Sequence, residues 1–277
     1  MPALASLSPR NDRVVGLRRL SRERRARAAE GRFVLDGPTL LTEALAAGIA
    51  VDDVFVDPEA ADRPEIEWAV GRAAAAGART WSVTGGLAGH VEPKTPNGTA
   101  AVAHIPTSAP TPSGAAGGSP ALHVVLVGVN DPGNVGTLLR TAEAVGATSL
   151  VLTDGSVDPW APKVVRSSAG SVLRVPVRSG PAGPVLDDLA AAGVTRVGTA
   201  GAGGLAPDGL DLTGPVALVL GSEAHGLPDE VEALVDAWAS LPMQGAVESL
   251  NVAVAGSVLA FEVVRQRAAA AVGGSRP

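Results

Sequence analysis

At 277 residues, with 46% hydrophobic and 18% charged side chains, the chain has material for two domains and enough apolar surface to exclude disorder overall. The absence of Cys removes disulfides, thiolate metal sites and cysteine nucleophiles, and four His leave room for at most a sparse metal site, so no metal is expected. The net charge of −6 is uneven: residues 10–32 hold nine arginines (Arg10, Arg13, Arg18, Arg19, Arg22, Arg24, Arg25, Arg27 and Arg32) against Asp12, Glu23 and Glu30.

In chain order, 13–27 reads as a polar, Arg-rich helix. Its arginines are either a solvated face or a phosphate-binding patch, since a guanidinium fork suits phosphate. Strands at 32–36, 51–56, 80–83 and 98–104 alternate with helices at 38–47 and 66–76, and no catalytic constellation stands out among them. Residues 105–120 (IPTSAPTPSGAAGGSP) hold four Pro, three Gly and five Ser or Thr without a charge. Such a stretch reads as a linker, dividing the chain into domains at 1–104 and 121–277.

The second domain alternates short Val/Leu-rich strands (122–127, 149–153, 173–177, 195–199, 216–220 and 238–241) with helices (135–145, 161–169, 185–192, 229–235 and 250–267). That pattern predicts an α/β fold with a parallel sheet covered on both faces, where ligands bind at the carboxyl ends of strands. The longest apolar stretch, 250–264, is shorter than a membrane span and contains Asn251 and Glu262. No apolar signal core opens the sequence, so a cytoplasmic protein without membrane contact is expected.

Three motifs sit where ligands should. Residues 130–147 (NDPGNVGTLLRTAEAVGA) run from a strand through a Gly turn into a helix, with Asn134 in the place of an N-cap. Arg140, six residues on, is expected on roughly the same side. It is the one basic residue between Lys94 and Lys163, on an otherwise apolar helix. Residues 217–227 (ALVLGSEAHGL) place Gly221 and the carboxylate of Glu223 at a strand's end; Glu223 and His225 lack a third ligand for a metal. Residues 241–262 (LPMQGAVESLNVAVAGSVLAFE) lead from a strand to a helix for which Ser249 is the expected N-cap. That helix is apolar on nearly every side and must be buried on nearly every side, against its own sheet and a second subunit. The run 201–206 (GAGGLA) mimics a dinucleotide fingerprint, but Pro207, Asp208 and Gly209 follow in place of a helix.

Together these motifs resemble the SpoU (TrmH) family of the SPOUT superfamily of RNA ribose 2′-O-methyltransferases, over nearly all of 122–267. The signature reads N-x-G-x-x-x-R-T-A, then L-G-x-E-x-x-G-L, then L-P-M-x-G-x-x-E-S-L-N-V. GRFVLDGPTLLTEAL and TPNGTAAVA of the first domain are similar to that family's L30-like substrate-binding domain.

The resemblance implies a deep trefoil knot at the C-terminal end, a homodimer whose active site draws on both chains, and S-adenosylmethionine as cofactor. The cofactor loops would be Thr199, Ala200 and Gly201; Gly221, Ser222 and Glu223; Leu241 and Met243; and Ser249, Leu250 and Asn251. Arg140, Asn134, Glu223, Ser249 and Asn251 would be the catalytic group. Arg10, Arg18, Arg19, Arg22, Arg25, Lys163 and Arg166 would contact RNA. Ribosomal RNA is the expected substrate, with transfer RNA, or a non-catalytic RNA-binding role on the same fold, as the alternatives; a dinucleotide oxidoreductase is a distant third. Because guanidinium stays protonated in proteins, Arg140 is expected to hold phosphate and to stabilise a developing alkoxide.

Overall fold

The structure is a computed structural model that describes residues 4–92, 97–107, 119–200, 203–247 and 249–273. The chain divides into two compact units, Met1–Thr107 with Asp158–Arg174, and Ser108–Val157 with Val175–Pro277. Most of the expected linker (108–118) lies outside the described residues, as do Lys94 and Gly201.

The first unit opens with β1 (Ala5–Leu7), α1 (Asp12–Arg22), α2 (Arg24–Glu30), β2 (Arg32–Asp36), α3 (Pro38–Ala46) and β3 (Val51–Val56). It continues with α4 (Pro64–Ala75), β4 (Arg79–Val83) and β5 (Thr99–His104). The strands form one mixed sheet in the order β1-β4-β3-β5-β2, and Val14, Leu17 and Leu20 of α1 pack on Val34, Phe55 and Val102 of that sheet.

The single helix expected over 13–27 is two helices, because Glu23 is extended (φ −109°, ψ 111°). The break turns the Arg27 guanidinium inward, where it donates to Leu20 O at 2.6 Å and to Asp158 Oδ2 at 2.7 Å. A charge expected in a solvated face or a phosphate-binding patch is therefore a buried cap on the last turn of α1. The strand β1 was not expected; three residues are too few for a period to register.

The second unit contains β6 (Leu122–Leu126), α5 (Pro132–Ala144) and β7 (Ser149–Thr153). α6 (Pro162–Ser167) groups with the first unit. After it come β8 (Val177–Gly180), α7 (Ala182–Ala191), β9 (Thr195–Thr199), β10 (Val216–Leu220), α8 (Asp229–Glu232), β11 (Ala237–Ala239) and α9 (Val252–Gly273). The strand expected at 173–177 starts later: Ser171–Leu173 is a 3-10 turn and β8 begins beyond Pro176, whose missing N–H cannot join a ladder.

All six strands of this sheet are parallel, in the order β11-β9-β10-β6-β7-β8. Both faces of β10 are buried: Ala217 and Val219 meet Leu186 and Leu189 of α7, while Val216 and Leu218 meet Leu259, Ala260 and Val263 of α9. Continuous apolar strands follow from that double covering. The chain builds β6, β7 and β8 outward, then returns to lay β9 and β10 on the other side of β6. Such a reversal opens a crevice at the carboxyl ends of the strands.

Candidate active site

The loops after β9, β10 and β11 and the start of α9 enclose a cleft of about 490 Å³, within the range of small-molecule sites. The ten described residues expected at the cofactor line it together: Thr199 and Ala200, then Gly221, Ser222 and Glu223, then Leu241 and Met243, then Ser249, Leu250 and Asn251.

The β10 loop is held tightly. Ser222 N–H donates to Gly226 O at 3.1 Å, Gly226 N–H returns to Ser222 O at 2.9 Å, and His225 N–H donates to Ser222 Oγ at 3.2 Å. A Cβ on Gly221 would stand 2.3 Å from the Gly226 carbonyl carbon. Backbone cannot yield there as a side chain could, so this position requires glycine. The turn presents Glu223 to two amides.

Those amides come from α5 and α9. Asn134 Nδ2 donates to Glu223 Oε1, Asn251 Nδ2 donates to the same oxygen at 2.9 Å, and Asn251 Nδ2 also reaches Asn134 Oδ1 at 2.9 Å. One carboxylate thus gathers side chains 117 residues apart. Neither expected cap is the cap. Asp131 caps α5 by accepting from Asn134 N–H at 2.8 Å, which leaves the Asn134 amide free for Glu223. Asn251 caps α9 in place of Ser249, its Oδ1 accepting from Ala253 N–H at 2.9 Å and Val254 N–H at 3.3 Å. Ser249 and Leu250 stand exposed at the cleft.

Arg140 is elsewhere. It is exposed, does not line the cleft, and has no hydrogen-bond or ion-pair partner among the described residues. The expectation that it shares a side with Asn134 is corrected by helix geometry. Six residues turn a helix through about 600°, roughly 120° short of two full turns.

Ala239, Gly226 and the α9 residues Val252, Ala255 and Leu259, which form the apolar floor, line the cleft without having been expected there. Their i, i+3, i+7 spacing marks one helix face, but on a helix apolar all round that signal was hidden. The cleft wall contains a single ionisable group among its described residues, Glu223.

The expected RNA contacts are dispersed over the first unit. Arg19 is ion-paired with Glu30, and Arg166 with the buried Asp36. Burial pushes the Asp36 carboxyl above its ordinary range, against the lowering effect of Asn97 and Arg166. Lys163, Arg10 and Arg25 are exposed. No group of three or more metal-ligating side chains occurs among the described residues, and no described helix is long and apolar enough to cross a membrane.

Known proteins share this arrangement. Residues 121–261 match the model of the SpoU rRNA Methylase family, and residues 11–101 that of the MRM3-like substrate binding domain. The chain is 30% identical over 258 residues to the 23S rRNA (guanosine(2553)-2′-O)-methyltransferase RlmP of Bacillus subtilis, covering 92% of this chain and 97% of that protein. The chain belongs to the SpoU rRNA methylase family. Among solved SpoU structures, AviRb from Streptomyces viridochromogenes in complex with AdoMet is 28% identical with a TM-score of 0.82, covering 94% of this chain and 99% of that one. The AdoMet-bound rRNA methyltransferase of Sinorhizobium meliloti is 27% identical with a TM-score of 0.81, covering 94% and 97%.

Proposed function

We propose that this SpoU-family protein methylates a ribose 2′-hydroxyl of 23S ribosomal RNA, as a cytoplasmic homodimer with S-adenosylmethionine in the cleft of each copy. The observation that carries this is the convergence of every described cofactor residue on one cleft bordered by the Asn134–Glu223–Asn251 network. The division of labour is 1–104 for RNA binding, 105–120 as linker and 121–277 for transfer, the last closed by the C-terminal trefoil knot.

The cleft fits the cofactor chemically. Gly221 lets backbone approach a ligand without a side chain between, and Leu241, Met243, Val252, Ala255 and Leu259 offer an apolar bed. The wall presents one carboxylate and no described Lys or Arg, which suits a cationic sulfonium. When bound, the cofactor supplies an electrophilic methyl group.

The protein's part is alignment and charge. Glu223 holds Asn134 and Asn251 by hydrogen bonds to one oxygen, so the start of α9 is fixed against α5. Ser249 and Asn251, at the cleft's rim, position the target ribose and the methionine end of the cofactor. Arg140 binds the neighbouring phosphate and stabilises the oxygen as its proton passes to solvent water. Since Arg140 lies outside the cleft of its own chain, it serves the cleft of the other copy. The homodimer is supported by α9: Val254, Val258 and Phe261 are 48%, 46% and 53% exposed on a helix whose other face is core.

The test is incubation with labelled S-adenosylmethionine and protein-free 23S rRNA, followed by mapping of the label. One ribose 2′-oxygen is the expected acceptor. Label confined to transfer RNA would move the substrate to the second reading. No transfer, with RNA still bound, would leave a non-catalytic binding protein.

A further inference from the structure

Nine arginines crowd residues 10–32, and the sequence treats them alike. Their partners separate them. Arg13 Nη1 bonds Asp53 at 3.0 Å, Arg19 bonds Glu30, buried Arg27 bonds Asp158, and Arg32 Nε is ion-paired with Asp52 at 3.1 Å. Each of these charges is already answered by a carboxylate.

Arg18 and Arg22, one turn apart on α1, are held differently. Arg18 Nη2 is 2.8 Å from His90 Nδ1 and 3.3 Å from Pro9 O, and Arg22 Nη2 donates to Gly89 O at 2.9 Å. These acceptors are neutral, so they orient the guanidinium groups without cancelling them. His90 is buried, and burial together with Arg18 and Arg22 lowers its pKa, which keeps its ring an acceptor.

The loop that supplies His90 and Gly89 is itself anchored. Leu87 N–H donates to Asp57 Oδ2 at 3.2 Å, Glu92 N–H donates to Ser21 Oγ at 2.9 Å, and the Leu87 side chain is in the core. Arg10 directly follows Pro9, is exposed, and has no partner among the described residues. Each guanidinium carries five N–H donors, so one or two intramolecular bonds leave the remainder for a ligand.

We propose that Arg10, Arg18 and Arg22 form a pre-oriented strip for the phosphodiester backbone of the RNA substrate, and that Arg13, Arg19, Arg27 and Arg32 take no part in it. This rests on the reading of the protein as an RNA methyltransferase. The strip is a phosphate site because its charge is unneutralised and because Arg18 and Arg22 are oriented before the ligand arrives, so less ordering entropy is lost on binding.

The experiment compares charge-matched variants by the salt dependence of affinity for protein-free 23S rRNA. Each phosphate contact contributes about 0.7–0.9 to the slope of log affinity against log salt. Arg18→Gln/Arg22→Gln is expected to reduce the slope by about 1.5. Arg19→Gln/Arg32→Gln removes the same formal charge and is expected to leave it unchanged. Arg10→Gln breaks no intramolecular bond, so it tests the strip without disturbing the fold, and its expected reduction is about 0.7.

Equal slopes for the two double variants, or an unaltered slope in Arg10→Gln, would overturn the strip while transfer by the intact protein kept the enzymatic reading. An intact protein with neither RNA affinity nor transfer would overturn both.

Discussion

The network that borders the cleft and the surfaces beside it share two helices, α5 and α9, and end in opposite states. At the cleft, each polar group on Asn134, Glu223 and Asn251 that the network needs has a partner in the same chain. Six residues along α5, Arg140 has none among the described residues, and along α9 Val254, Val258 and Phe261 are exposed. A binding site whose polar network closes within one chain stands next to a cation and an apolar stripe left open, and these are the features that the proposed second copy would cover.

The largest effect that sharpens this contrast belongs to Arg140→Ala. Loss of a charge aimed at a developing oxyanion costs about 10²–10³ in rate, so methyl transfer should fall by that order while calorimetry finds S-adenosylmethionine binding intact. Retained transfer would remove Arg140 from the mechanism. Next comes Val258→Glu with Phe261→Glu, which buries no core residue and should halve the mass seen by sedimentation and cut transfer at least about tenfold, since charges are depleted from interface cores. A variant still dimeric and active would place the interface elsewhere.

Asn251 separates capping from the network. Asn251→Ala should cost about 1 kcal/mol for the lost cap as well as transfer, while Asn251→Ser keeps an uncharged acceptor for the cap and loses the amide donor to Glu223 and Asn134. Equal melting loss in both would show that the cap is not the stabilising role.

The smallest expected effect concerns pH. The His90 pKa lies below its ordinary value of 6.5 in the fold, so the unfolded chain takes up the proton first. Its contribution is complete above that ordinary value and is lost as pH falls below it. Between pH 7.5 and 5.5 the melting temperature of the wild type should drop slightly more than that of His90→Gln, which can still accept from Arg18. Identical drops would mean that His90 titrates as freely folded as unfolded.

Much of this was legible in the amino-acid order. Alternating strands and helices in 122–267 announced the parallel sheet, because strands covered on both faces must be apolar throughout. The loops after β9, β10 and β11 were legible as places for a ligand because they leave the carboxyl ends of parallel strands, while their assignment to a cofactor, together with Ser249–Asn251, came from the family resemblance. What was hidden depends on three-dimensional partners. Asn134 and Ser249 have cap chemistry, yet Asp131 and Asn251 took those roles. Spacing gave the residue types at a helix start but not which side chain turned back. Arg27 looked like its eight neighbours until the break at Glu23 buried it. Arg140 was singled out by its isolation on an apolar helix, while its placement relative to Asn134 was misjudged by a third of a turn.

The most direct test of a site shared between copies uses two chains, each disabled differently. Arg140→Ala lacks the cation, and Ala255→Phe fills the floor of the cleft. Co-expressed with separate tags and purified as the mixed dimer, they should regain about half of the wild-type transfer rate, because one cleft in each dimer is open and faces an intact Arg140. A mixed dimer as inactive as either parent would mean that Arg140 works within its own chain, and would contradict the shared site.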